Sequence, residues 1–190
     1  MARLWVTLIC ALMVACTGAE TASGQPSSED GDRLLALLRD PFDPPIQWSV
    51  PGGDALEKVE KRFGSPLRRA ERVATSPRDP TVTFAYVTLE YDGLRFEFFG
   101  PPAEDARQIG SVELRSSSYL LKFGLRIGAT RTQIGEALRV EMPPRGVPYI
   151  ASKSYSVPAG DFRAAVFPKI TVLFDDSDRV EQMIFRFDGH

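Results

Sequence analysis

Three aspartates, Asp175, Asp176 and Asp178, fall within five residues of the stretch FDDSDRVEQMIFRF, and Glu181 follows closely. Carboxylates at that density can hold a hard cation or share a proton in acid–base catalysis. A calcium loop of the EF-hand kind needs ligands at alternate positions and a glycine at the sixth. Counted from Asp176, the fifth position is Val180 and the sixth is Glu181, so that pattern fails. Asp and Ser side chains hydrogen-bond the local backbone, and Asp tolerates positive φ, so the cluster reads as the tip of a β-hairpin.

The rest of the chain offers little further chemistry. The one histidine, His190, is the last residue, a poor place from which to supply a base to a Ser-His-Asp system. Ser152-Lys153-Ser154 cannot form a dyad within itself, because adjacent strand residues point to opposite faces. GLRIGAT has neither the length nor the lysine of a phosphate-binding loop. No pair of carboxylates stands out at glycosidase spacing. The expectation is a non-enzymatic protein with no catalytic residue, no cofactor and no metal site.

The elements around these residues begin with an export signal. Arg3 precedes an uncharged apolar run from Leu4 to Ala15, the layout of a secretory signal peptide over 1–15, too short to span a bilayer. Both cysteines, Cys10 and Cys16, lie in this region. Two processing outcomes compete. In one, LMVAC is a lipobox and Cys16 becomes the lipidated first residue; in the other, a signal peptidase cuts near Thr17-Gly18-Ala19. Thr17 rather than Asp after Cys16 points to the outer membrane for the lipidated form. Either product has no cysteine in its globular part, so its stability comes from an apolar core without disulfides. Loss of residues 1–15 removes only Arg3 and takes the formal charge from −2 to −3. A mildly acidic chain of this kind is a poor partner for nucleic acid.

Residues 16–32 are small and polar and read as a flexible tether. A short amphipathic helix, Arg33 to Arg39, is stopped by DPFDPP. One globular domain, 33–190, then reads as two related units, about 50–116 and 124–187. In the first, Asp54 is a helix N-cap ahead of Leu56, Val59 and Phe63, and Gly64 and Pro66 end the helix. In the second, Thr130 and Gln133 form a capping box ahead of Ile134 and Leu138. Each helix is followed by alternating strands: Leu94, Phe96 and Phe98 share one face, as do Ile170, Val172 and Phe174, and Met183, Phe185 and Phe187. YIASKSYSV and DFRAAVF are two further strand segments. Asp92-Gly93 carries a tight hairpin turn. The fold class expected is α+β, a tandem duplication of a helix followed by an antiparallel meander, with the helices on one face of the sheet and the other face open.

The cations Lys58, Lys61, Arg62, Arg68, Arg69 and Arg72 surround the first helix and its exit. Glu57, Glu60 and Glu71 are interleaved with them, which favours a solvated, salt-bridged helix face over a docking patch. The strands also carry more aromatic residues than one buried face needs, so some of them fall on the open face as a recognition surface.

LRIGATRTQIGEAL, followed by ITVLFDDSDRVEQMIFRF, resembles the small outer-membrane lipoproteins of the SmpA/OmlA type and the tandem β-lactamase-inhibitor-protein fold related to them. Ile127, Gly128 and Thr130 match the helix entry of that group, and Phe174, Asp175 and Val180 match its late hairpin. Phe63-Gly64-Ser65-Pro66 keeps its helix exit in the first unit. Asp178 stands where glycine is usual, Arg139 replaces the second helix exit, and no functional residue carries over. The resulting expectation is a lipid-anchored, periplasm-facing, non-enzymatic protein of the cell envelope: a binding or assembly module whose partner is another envelope protein. The alternatives are a secreted or periplasmic inhibitor of a hydrolase and an enzyme of unrecognised type. Candidate interaction residues are Tyr91, Asp92, Phe99, Asp175, Asp176 and Asp178, with Cys16 as the lipidation site.

Overall fold

The structure, a computed structural model, describes residues 28–46, 55–76, 79–102, 108–159 and 162–189. The segment read as a signal peptide, 1–15, Cys16, the part of the expected tether up to residue 27, Asp54 and His190 lie outside the described residues.

Helix α1 spans Ser28–Arg39, so it starts five residues before the expected Arg33 and takes in the end of the segment read as tether. Its Leu37 and Leu38 are fully buried, and Asp40 Oδ1 then accepts from the Phe42 amide at 3.2 Å as the chain turns into Pro41. Helix α2, Ala55–Phe63, buries Ala55 and Val59 and has Glu57 in its first turn and Lys61 and Arg62 in its last, matching the helix dipole. Gly64 at φ 77 closes it, donating to the Glu60 carbonyl at 2.8 Å. Helix α3, Arg131–Leu138, has the capping box expected of Thr130 and Gln133. Its exit residue, Arg139, takes the left-handed conformation that Gly64 takes after α2, with φ 54.

Eight strands make one antiparallel sheet: β1 (Arg68–Thr75), β2 (Thr83–Tyr91), β3 (Leu94–Gly100), β4 (Gln108–Leu114), β5 (Tyr149–Ser152), β6 (Tyr155–Ala159), β7 (Phe162–Phe174) and β8 (Val180–Gly189). Their order is β1-β2-β3-β4-β8-β7-β5, with β6 also paired to β7. The fold is therefore α+β with an antiparallel sheet. Three elements differ from the expectation, the first being YIASKSYSV, which divides into β5 and β6. RRAERVAT is a strand, β1, so Arg68, Arg69 and Arg72 sit on the sheet edge and not on a helix face. DFRAAVF and KITVLF form one continuous strand, β7, through Pro168. Proline has no N–H to give to a ladder, and Pro168 meets the break between β5 and β6, where its carbonyl accepts from Lys153 at 3.3 Å.

Register follows the apolar alternation. One row runs straight across five strands as Leu89, Phe96, Val112, Phe185 and Ile170, and the next as Leu94, Leu114, Met183, Val172 and Tyr149. All ten are buried and join Leu37, Leu38, Val59, Ile134 and Leu138 from the three helices in one core. A one-residue slip anywhere would turn a whole strand's apolar set to water, which fixes the pairing. Two bulges interrupt the register, between Glu97 and Phe98 against β4 and between Leu173 and Phe174 against β8.

Candidate interaction surface

The acidic stretch is the β7–β8 connection. Asp175 Oδ1 accepts from the Ser177 and Arg179 amides, both at 2.9 Å, and the Asp178 amide donates to the Asp175 carbonyl at 2.9 Å. Asp178 takes φ 61, a left-handed conformation that aspartate reaches more easily than most residues. The tip is docked on the start of α3. Arg131, only 8% exposed, donates through Nε to Asp178 Oδ1 at 2.7 Å and through Nη1 to the Pro143 and Val147 carbonyls at 2.9 and 3.1 Å. Its guanidinium lies 3.9 Å from the centre of the Phe174 ring, a cation–π contact that faces a group whose Nη2 is otherwise unpartnered. Arg145 also donates to the Asp176 carbonyl at 2.5 Å. Asp175 and Asp178 are thus engaged in holding the hairpin, while Asp176 is exposed. Among the described residues, no group of three His, Cys, Asp or Glu is placed to hold a metal.

Tyr91 ends β2 and Asp92 opens the turn into β3, and Tyr91 faces inward where an interaction role would need it outward. Its ring packs on Phe63 and Phe96, and its hydroxyl donates to the Gly64 carbonyl at 3.2 Å. The Tyr119 hydroxyl donates to the Asp92 carbonyl at 3.0 Å. Gly93, which follows Asp92 in the turn, takes φ 70, and a Cβ there would run into Ser116. Burial, with the Glu60 carboxylate and then Tyr119 adding to it, pushes the Tyr91 hydroxyl up to about 12. Because the folded chain holds this proton more tightly than the unfolded one, stability is full below pH 10 and falls as pH rises towards 12. A urea-midpoint series over that window should show the fall, and Tyr91→Phe should make it shallower. Tyr119, Tyr149 and Tyr155, also raised by burial, supply the remainder.

The face of the sheet opposite the core rows carries the outward residues. Arg72, Tyr86, Phe99 and Gln108 lie in register across β1 to β4. The Arg72 guanidinium sits 4.0 Å from the Tyr86 ring centre, and Phe84 meets Phe99 edge-on at 6.5 Å. Phe99, expected as a contact residue, is therefore on the outward face, half-buried beside Gly110. A second row reads Arg68, Glu90, Arg95, Glu113, Ile184, Thr171 and Ile150. The third is Ala70, Thr88, Glu97, Ser111, Arg186, Lys169 and Ser152. No protein-family model, curated protein or solved structure matches this chain.

Two of the cations around α2 and its exit, Arg68 and Arg69, are ion-paired. Arg69 bridges Glu60 and Glu71, each at 2.8 Å, which raises its pKa, while Arg68 approaches Glu90 at 3.9 Å. A shallow groove of about 380 Å³ lies between the turn at 123–126 and α3. Its floor is the buried Leu125, Ala129 and Ile134, and its rim Arg126, Gln133 and Glu136, a lining without a nucleophile or a close carboxylate pair. Sequence reasoning passed over Arg131 and the outward Lys169 and Arg186. Nothing near them in the chain marks them; only their partners across the fold do.

Proposed function

We propose that this chain is a lipid-anchored, non-enzymatic binding module of the cell envelope, facing the periplasm, which holds another envelope protein on the outward face of its sheet. The observation that carries this reading is that face itself. Tyr86, Phe84 and Phe99 gather on one half of it, and Ile150 and Phe167 are about half exposed on the other. Apolar and aromatic groups among charged rows are the composition of a recognition surface. The lipobox at Cys16 supplies the anchor and residues 17–27 the tether.

We also propose that the sheet arose by tandem duplication, with helices covering one face, in kinship with the SmpA/OmlA-type lipoproteins and the β-lactamase-inhibitor-protein fold. Several observations support it. Each bulge leaves one residue of the later strand unpaired at the same place, Gly110 in β4 and Glu181 in β8, just after buried Ile109 and Val180. With Val112 equivalent to Met183 and Leu114 to Phe185, the central pairs Val112 with Phe185 and Leu114 with Met183 exchange under a two-fold axis near Glu113 and Ile184. The left-handed exits at Gly64 and Arg139 fall at matching positions. The inhibitor alternative is less well supported, because Asp175 and Asp178 already satisfy the hairpin they would have to leave.

Two measurements test the reading. Mass spectrometry of the mature N-terminus should find an acylated Cys16, with the lipid lost in Cys16→Ser; cleavage near Ala19 without lipid would overturn the anchor. A photo-crosslinking residue placed at Phe99 or Ile150 in the anchored protein should capture a discrete envelope protein. No adduct from either position, or turnover of a cell-wall or lipid substrate by the purified chain, would overturn the module.

A further inference from the structure

Lys169 and Arg186 stand directly opposite each other on β7 and β8. Residues so paired have Cβ atoms about 5 Å apart, and like charges there destabilise the sheet. No carboxylate lies directly beside the pair in its own row. Along their row the neighbours are Ser111 beside Arg186 and Ser152 beside Lys169, and Glu97 is a strand beyond Ser111. Glu113, diagonal to Arg186, is held by Arg115 at 2.6 Å. Among the described residues, neither cation has an ion-pair or side-chain hydrogen-bond partner. Apolar outward positions flank the pair: Ile184 and Ile150, the latter 53% exposed, on one side, and Phe167, 48% exposed, on the other, where Asp188 is its register partner on β8.

We infer that this patch seats an acidic segment of a partner protein, one Asp or Glu carboxylate lying between Lys169 and Arg186 and apolar side chains resting on Ile150, Ile184 and Phe167. The inference rests on the binding-module reading and names the chemistry of its partner. Two adjacent cations that repel each other in the free protein gain most when one anion bridges them, and apolar flanks that exclude water strengthen that attraction. Two cations on a chain of net charge −2 are too few for the phosphate row of a nucleic acid, whereas they match a single carboxylate. The repulsion is then a cost to stability that the bound partner removes.

The test uses the full mature chain and a fluorescent dodecapeptide alternating Glu and Leu, beside its Gln–Leu counterpart. The Glu peptide should bind about tenfold or more tightly than the Gln peptide, and the gap should close in Lys169→Ala/Arg186→Ala and shrink with added salt. The unliganded Lys169→Ala protein should melt about 2 °C higher than the parent, because the repulsion is gone. Equal affinity for the two peptides, or a gap that survives the double substitution, would overturn the inference, as would binding to phosphatidylglycerol vesicles in place of the peptide. In cells, adducts from position 150 should disappear in Lys169→Glu/Arg186→Glu. Adducts that persist refute the acidic seat and leave the module standing; adducts absent from both Phe99 and Ile150 in the parent remove both.

Discussion

Asp178→Ala should lower the unfolding free energy by about 2–4 kcal/mol, read as a shift in the urea midpoint at unchanged slope. The substitution leaves the Arg131 guanidinium, 10% exposed in its side chain, without its charged partner. Truncating one member of a buried pair costs more than the pair contributes, because the surviving charge stays desolvated. The Asp178 side chain is 31% exposed, which keeps the estimate below the top of the range for fully buried pairs. Part of the loss is backbone: alanine at φ 61 carries a penalty of about 1 kcal/mol that Asp178→Gly should recover. Replacing both partners, Arg131→Met with Asp178→Gly, should restore much of the remainder, since the apolar side chain can rest on Phe174. If Asp178→Ala were neutral, the hairpin tip would not be held by this pair.

Phe96→Ala should cost about 3–5 kcal/mol, a large part of the stability of an ordinary domain. Phe96 is fully buried, in the row that crosses five strands, and its ring lies 5.9 Å from Phe42, 5.5 Å from Phe63 and 6.1 Å from both Tyr91 and Phe98. Removing it opens a cavity where the segment after α1, the end of α2 and the β2–β3 hairpin meet. Phe96→Leu should cost about a third as much, because most of the volume is refilled. Phe99→Ala, three residues on but facing outward, should stay within about 1 kcal/mol of the parent in stability. The contrast between Phe96 and Phe99 separates the core from the outward face, and a stability loss at Phe99 equal to that at Phe96 would show that the outward face is covered.

Several local features were legible residue by residue. Thr130 and Gln133 make the capping box, Asp92-Gly93 makes the turn, and the Asp-rich tip is a turn whose Asp175 side chain binds the backbone. The alternation of Leu94, Phe96 and Phe98 predicted which side of β3 is buried. β1 escaped notice because RRAERVAT has no apolar alternation; it lies at the edge of the sheet, where seven of its eight residues are exposed and no buried face has to be written into it. The continuity of β7 was hidden by Pro168, which is tolerated where a partner strand breaks, and that break is set by β5 and β6 some fifteen residues earlier in the chain.

The separation follows the reach of the interactions. Caps, turns and the apolar period are decided by groups a few residues apart, so the amino-acid order alone specifies them. Charge partners are decided by register, and register is set by burying the whole apolar face at once. Arg131 meets Asp178 across 47 residues of chain, and Tyr91 meets Gly64 across 27. Lys169 is brought opposite Arg186 because Ile170 must sit beside Phe185 in the core. The conflict between two like charges on the outward face is accepted by the fold because the apolar contacts beneath them are stronger.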